Sequence, residues 1–183
     1  MVTLVNAQPI TDTLRGFPWG LRAAEQILGR CPPFVAARAT TLALRAAGVR
    51  IGRASVFWAM PTLAGPGDVC SNLSVGTYCG FNARVYFELD DKIAIGDHVA
   101  VGQEVMFLTR TYDTSNPTQR GGNTGSAPIE IGNGAWLGAR CTILPGVKIG
   151  AGSVIGASVV VANDVPANIL LMGNRRVSLA KWR

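Results

Sequence analysis

The sequence predicts an all-β fold, a solenoid of short parallel strands with a helical segment in front of it. Two observations predict it. The first is a six-residue period. From Ile131 onward Leu137, Ile143, Ile149, Ile155 and Val161 recur at that interval, with Gly132, Gly138, Gly150 and Gly156 directly after four of these residues. The same spacing runs through Ile51, Phe57, Leu63, Val69, Val75, Phe81 and Phe87 and, after a two-residue insertion, through Ile95, Val101 and Phe107. All sixteen positions are apolar, where a composition of 48% apolar residues gives about eight by chance. The second observation is a set of smaller residues four positions after most of these: Ser55, Cys79, Val85, Val99, Val105, Ala135, Cys141, Val147, Ser153 and Val159.

A period of six fits neither the 3.6 of a helix nor a two-residue alternation carried over a long span. It fits short strands joined by tight corners. The large aliphatic residue and the small one both point inward, and the glycine after the large residue leaves room where a side chain would obstruct the backbone. Three repeats close a triangular turn of about eighteen residues, and stacking lets each strand pair with the one above. Sixteen repeats make about five turns. A sandwich of short strands would show turn signals every eight to twelve residues, with no reason to hold a six-residue phase.

Taken in order, residues 1–48 are expected to form a helical cap. Gly20 to Gly29 and Pro33 to Ala47 both look helical, separated by Pro32 and Pro33 and stopped at Gly48. The second segment places Val35, Ala39, Leu42 and Ala46 on one face and Arg38 and Arg45 on another. That face serves either as a cap over the first turn or as a membrane-surface helix. Residues 49–166 are expected to be the β-helix. It is interrupted at 109–128 by a polar excursion rich in Pro117, Gly121, Gly122 and Gly125. Residues 167–183 form a basic tail, and the whole makes one domain.

Composition narrows the function classes. The 183-residue chain has four cysteines, at 31, 70, 79 and 141, in no metal-ligand or disulfide spacing, which reads as reduced thiols in a cytoplasmic protein. No stretch has the length of a signal peptide's apolar core or of a membrane span, so integral membrane association is not expected. The net charge of +6 comes from arginines scattered in ones and twos without interleaved aromatics, which argues against nucleic acid. There is no phosphate-cradling loop, no nucleophile elbow, and one histidine, His98, too few for a histidine-ligated metal. Cys141 falls at an inward position of the repeat, the place of a small core residue and not of a nucleophile.

The stretch "IGNGAWLGARCTILPGVKIGAGSVIGASVVVANDVPAN" resembles the closing turns of the hexapeptide-repeat acyltransferases, in particular the galactoside, maltose and colanic-acid O-acetyltransferase branch; the likeness extends over about residues 45 to 176. The resemblance implies a left-handed parallel β-helix assembled as a homotrimer. It also implies acetyl-CoA or another acyl-CoA as co-substrate, bound between neighbouring subunits, a small-molecule acceptor, and no metal. In that family the loop interrupting the helix delivers a catalytic histidine that removes the proton from an acceptor hydroxyl. Here the corresponding residues are Thr111, Tyr112 and Asp113, so tyrosine stands in the histidine's place.

A phenol titrates near pH 10, and ionising it at pH 7 costs roughly 4 kcal/mol, so Tyr112 is poorly matched to the work of a base. A neutral Tyr112 can still donate a hydrogen bond to a developing oxyanion or hold a substrate. By the same resemblance Asn82 orients the acceptor, although a corner amide can equally satisfy backbone groups. Trp136 lines the acyl-CoA cleft or simply packs. Gly138, Ala139 and Ala157 leave room for the pantetheine arm. Ala162 and Asn163 stand where relatives carry Thr-Lys, and Arg175 and Arg176, after Gly173-Asn174, lie near the nucleotide phosphates. The function expected is acyl transfer from a CoA thioester to a sugar or secondary-metabolite acceptor, with Asp113, His98 or the substrate replacing the missing base. The alternative is a relative that has left acyl transfer and serves as a trimeric binding or scaffold protein, or catalyses another reaction.

Overall fold

The structure, a computed structural model, describes residues 3–5, 19–173 and 175–179. Strand β1 (Thr3–Val5) stands apart from a three-sided stack of short strands. Face one holds β2 (Arg50–Ile51), β5 (Leu73–Val75), β8 (Ile93–Ile95), β13 (Ile129–Ile131) and β16 (Lys148–Ile149). Face two holds β3 (Val56–Phe57), β6 (Gly80–Phe81), β9 (Ala100–Val101), β14 (Trp136–Leu137), β17 (Val154–Ile155) and β19 (Ile169–Met172). Face three holds β4 (Thr62–Ala64), β7 (Tyr86–Glu88), β10 (Met106–Phe107), β15 (Thr142–Ile143) and β18 (Val160–Val161). Pairing along each of these stacks is parallel and in register, so like stacks on like through the molecule.

The sixteen predicted positions keep their phase. Fifteen are buried and Ile51, at the open first turn, is partly so; all ten smaller residues are buried. Together they fill the triangular interior, with Phe57 stacked on Phe81 at 4.2 Å and Phe87 on Phe107 at 4.9 Å. Each large aliphatic side chain so buried contributes about 1.5–3 kcal/mol. Cys79 and Cys141 belong to this interior, and burial raises both thiols, the opposite of what a nucleophile needs.

The turns differ in length, which corrects the expected repeat in one place. Ile51 pairs with Val75, 24 residues on, because Val69 forms no strand. It is buried but opens a short 3-10 helix, Val69–Asn72, started by Asp68, whose carboxylate accepts from the Cys70 N–H. Val75 pairs with Ile95, Ile95 with Ile131 across the excursion, and Ile131 with Ile149 at the ideal spacing of 18. The parallel pattern continues past residue 166. Val165 bridges Ile149, and β19 pairs with β17, so the stack holds five full turns and part of a sixth. The chain then reverses into β20 (Arg175–Ser178), antiparallel to β19. Asn174 and residues 180–183 of the basic tail lie outside the described residues, as do residues 1–2 and 6–18 of the cap.

The glycines after the large residues act through close approach. A Cβ on Gly132 would lie 2.5 Å from the Ala151 nitrogen of the next turn, and one on Gly138 2.8 Å from the Ala157 nitrogen. The left-handed backbone sits two residues further on, at Tyr78, Arg84, His98, Glu104 and Arg140, all with φ between 57° and 60°. Gly132→Ala is therefore expected to pry two turns apart at a cost of about 1–3 kcal/mol. A thermal melt reads this as a loss of about 3–10 °C. An unchanged melting temperature would refute this packing.

Helices α1 (Trp19–Leu28) and α2 (Ala37–Ala46) close the first turn. The second starts four residues later than the sequence suggests, because Phe34 takes φ of 73° and donates its N–H to the Trp58 carbonyl at 2.7 Å. Its orientation is also the reverse of the expected one. Thr40, Thr41 and Leu44 are buried, and Thr41 Oγ1 accepts from the Phe57 N–H at 3.1 Å, whereas Val35 and Leu42 are exposed.

Candidate functional site

The polar excursion is a hairpin, not an irregular loop. Strand β11 (Arg110–Tyr112) pairs antiparallel with β12 (Thr124–Ser126), and β1 adds a third strand on the other side of β12. The Asp113 N–H donates to the Asn123 carbonyl, carrying the pairing one residue further. The strands form because Thr and Tyr tolerate extended backbone, while the polar tip between them has nothing to bury.

Its base is fixed to the solenoid by polar groups. Thr109, fully buried, donates its hydroxyl to the Glu88 carbonyl at 2.7 Å and accepts from the Asp91 N–H. The Arg110 N–H donates to the Glu88 carboxylate, and its guanidinium donates through Nε and Nη2 to Asp90 Oδ1 at 3.0 and 2.7 Å. Asp90 is the largest cause holding Arg110 above its ordinary range, and Tyr112 contributes in the same direction. Arg110 and Tyr112 are two apart on one strand and so share a face. The Asp90–Arg110 pair thus anchors the base of the strand that carries the half-exposed Tyr112, with Asp90 Oδ2 buried and without a hydrogen bond among the described residues.

This arrangement sets a cation on the same strand face as the phenol, whose neutral hydroxyl can donate a hydrogen bond to developing negative charge. Asp113 follows Tyr112 at the start of the hairpin's polar tip. Its carboxylate accepts from the Ser115 N–H at 2.8 Å, and that bond holds its pKa below the ordinary carboxylate range.

The other predicted residues occupy two edges of the prism. On the edge between faces two and three lie Asn82, Gly138, Ala139 and Ala157, each following its strand of face two. Asn82 Oδ1 accepts from its neighbour Ala83 N–H at 2.8 Å, so its amide nitrogen remains available as a donor. Beside them Glu104 is held between Arg84 and Arg140, and the bond from Arg140 holds its carboxyl below the usual range. Ala162 and Asn163 lie on the edge between faces three and one, the edge from which the hairpin departs. Trp136 stands on the outside of face two, 55% exposed, and Arg175 and Arg176 are exposed on β20 at that face's C-terminal end.

One chain therefore gathers the predicted residues into two groups flanking face three and does not bring them together. His98 is at the third edge, its ring stacked on Tyr78 at 5.1 Å, away from both groups. Asp90 and Arg110 were not among the residues singled out in the sequence. The signal that finds them is inter-turn spacing: they stand 20 apart, as do Phe87 and Phe107 on face three.

The model for the bacterial transferase hexapeptide (six repeats) matches residues 128–163. The chain is 36% identical over 106 residues to galactoside O-acetyltransferase of Escherichia coli K12, covering 56% of this chain and 51% of the relative. It is 34% identical over 113 residues to the Lactococcus lactis galactoside O-acetyltransferase, covering 62% and 54%. It spans about half the length of these curated relatives. Among solved structures, a galactoside acetyltransferase in complex with coenzyme A superposes over 95% of this chain and 84% of its own, with a TM-score of 0.76 and 24% identity. A hexapeptide-repeat acetyltransferase of Vibrio cholerae complexed with acetyl-CoA gives 0.69 over 88% and 85%, at 23% identity.

Proposed function

We propose that this chain, a member of the hexapeptide-repeat family, is an acyl-CoA-dependent O-acetyltransferase acting on a hydroxyl of a sugar or secondary-metabolite acceptor. The observation that carries the reading is the 36% identity, over 106 residues, to a protein named as a galactoside O-acetyltransferase. The hairpin supports it by setting Tyr112 at the edge where the family delivers its catalytic side chain.

In this reading three chains stand side by side, so that the hairpin of one meets the edge of the next that carries Asn82, Gly138, Ala139 and Ala157. The two groups separated within one chain then line a single cleft. Trp136 and the alanines would take the pantetheine arm, and Arg175 and Arg176 the phosphates, with Ala162 and Asn163 beside them. Asn82 donates its amide to the acceptor. The acceptor oxygen attacks the thioester carbonyl, the C–S bond breaks, and CoA leaves as the thiol. Tyr112 donates its hydroxyl hydrogen bond to the oxyanion that forms, from the strand face it shares with Arg110. The attacking hydroxyl loses its proton to Asp113 beside Tyr112, to solvent or to a basic group of the acceptor itself.

The test is binding. A ligand taken only by the folded protein raises stability by about 2.7 kcal/mol at a hundred times its Kd. The melting temperature is expected to rise steadily with acetyl-CoA concentration and to rise less in Trp136→Ala. No shift with acetyl-CoA or with longer acyl-CoAs would defeat the reading.

A further inference from the structure

We infer that the outer surface of the N-terminal cap docks on anionic lipid bilayers. The inversion of α2 is the first reason. The helix seats Thr40, Thr41 and Leu44 on the solenoid and turns Leu42 outward, 62% exposed, while Val35 just before it is 76% exposed. Ile27 from α1 and Phe34 from the connection, at 69% and 61%, and Trp19, at 70%, are exposed in the same segment. A soluble domain rarely leaves so many large apolar groups in one short segment facing water.

Charge is the second reason, and it selects the partner. Residues 19–53 carry six arginines and a single acid, Glu25, so they hold five of the six net positive charges of the chain. Glu25 is committed to Arg22 at 2.7 Å. Among the described residues no carboxylate pairs with Arg30, Arg38 or Arg45. Apolar side chains interleaved with cations on short helices are the chemistry of an interfacial anchor, the rings and aliphatics entering the headgroup boundary and the guanidinium groups meeting lipid phosphates. Ten-residue helices are too short to span a bilayer, and no described helix is long and apolar enough to do so, so the segment lies on the surface. A second copy is the poorer occupant. A two-fold contact through this patch would bring both sets of arginines together with no free acid to offset them.

The cap covers the first turn of the solenoid and shares no residue with the two edges that carry the candidate site, so the inference stands or falls apart from the proposed activity. The experiment is co-sedimentation of the full chain with phosphatidylcholine vesicles, with and without phosphatidylglycerol. The chain is expected to pellet with anionic vesicles, to remain in solution with neutral ones, and to be released as salt is raised. Val35→Asp/Leu42→Asp and Arg30→Glu/Arg38→Glu should each lower the partition coefficient at least about tenfold while leaving the thermal melt and the sedimentation coefficient unchanged. Absence of binding, equal binding to both vesicle types, or binding indifferent to the variants would overturn the inference. So would a change of oligomeric state in the variants, which would assign the patch to contacts between copies.

Discussion

Replacing Ile143 with Asp is expected to abolish folding. Ile143 is fully buried on β15, stacked between Phe107 of the turn before and Val161 of the turn after, in the column that begins with Leu63. A carboxylate there would find no cation and no donor with an unfilled bond, because the ladder has already paired the surrounding backbone. The unpaired charge costs several kcal/mol beyond the lost aliphatic contacts, against a total stability of about 5–15 kcal/mol. Each turn rests on its neighbours, so the loss spreads along the stack. Far-UV circular dichroism and the soluble fraction would read it, with Ile143→Val as the control, costing only about 0.5–1.5 kcal/mol. A soluble Ile143→Asp protein that melts cooperatively near the parent temperature would refute the register.

The solenoid was legible in the sequence because its constraint is one-dimensional: every sixth residue faces the axis, and Ile131 to Val161 obey without exception. Val69 shows where such reading stops. It keeps the phase and the burial, yet the chain at this point spends six extra residues on a 3-10 turn, which an apolar residue at the right interval cannot reveal. The cap misled for a different reason. Periodicity found a stripe on α2 but could not say which side meets the solenoid, and the bond from the Phe57 N–H to Thr41 settles it against hydrophobicity. In the candidate site, Tyr112 was visible only against a family pattern. Asp90 and Arg110 were invisible to motif reading, since their meeting depends on the stacking of two turns. The separation of Asn82 from Tyr112 is a property of one chain that no linear reading exposes.

Tyr112 governs the second large effect. If it donates a hydrogen bond to the developing oxyanion, as proposed, it contributes only through its hydroxyl, so Tyr112→Phe should lower turnover about 10- to 100-fold while leaving the melting temperature in place, as expected for a half-exposed side chain. Tyr112→His should retain or raise turnover, because imidazole titrates near neutral pH and can take the acceptor's proton itself. The hairpin already holds that position by the pairing of Tyr112 with Thr124, so the replacement needs no new backbone. His98→Ala should be without effect, since His98 is stacked on Tyr78 at another edge. Full activity in Tyr112→Phe beside an inactive His98→Ala would move the chemistry to that edge.

The central claim is acyl transfer by a site with tyrosine in the family's histidine position, and release of free CoA thiol from acetyl-CoA across a panel of hydroxyl acceptors tests it most directly. The account predicts acceptor-dependent thiol release by the parent chain, diminished in Tyr112→Phe and kept or increased in Tyr112→His. Thiol release no faster than that of acetyl-CoA alone with every acceptor, in the parent and in Tyr112→His alike, would contradict it.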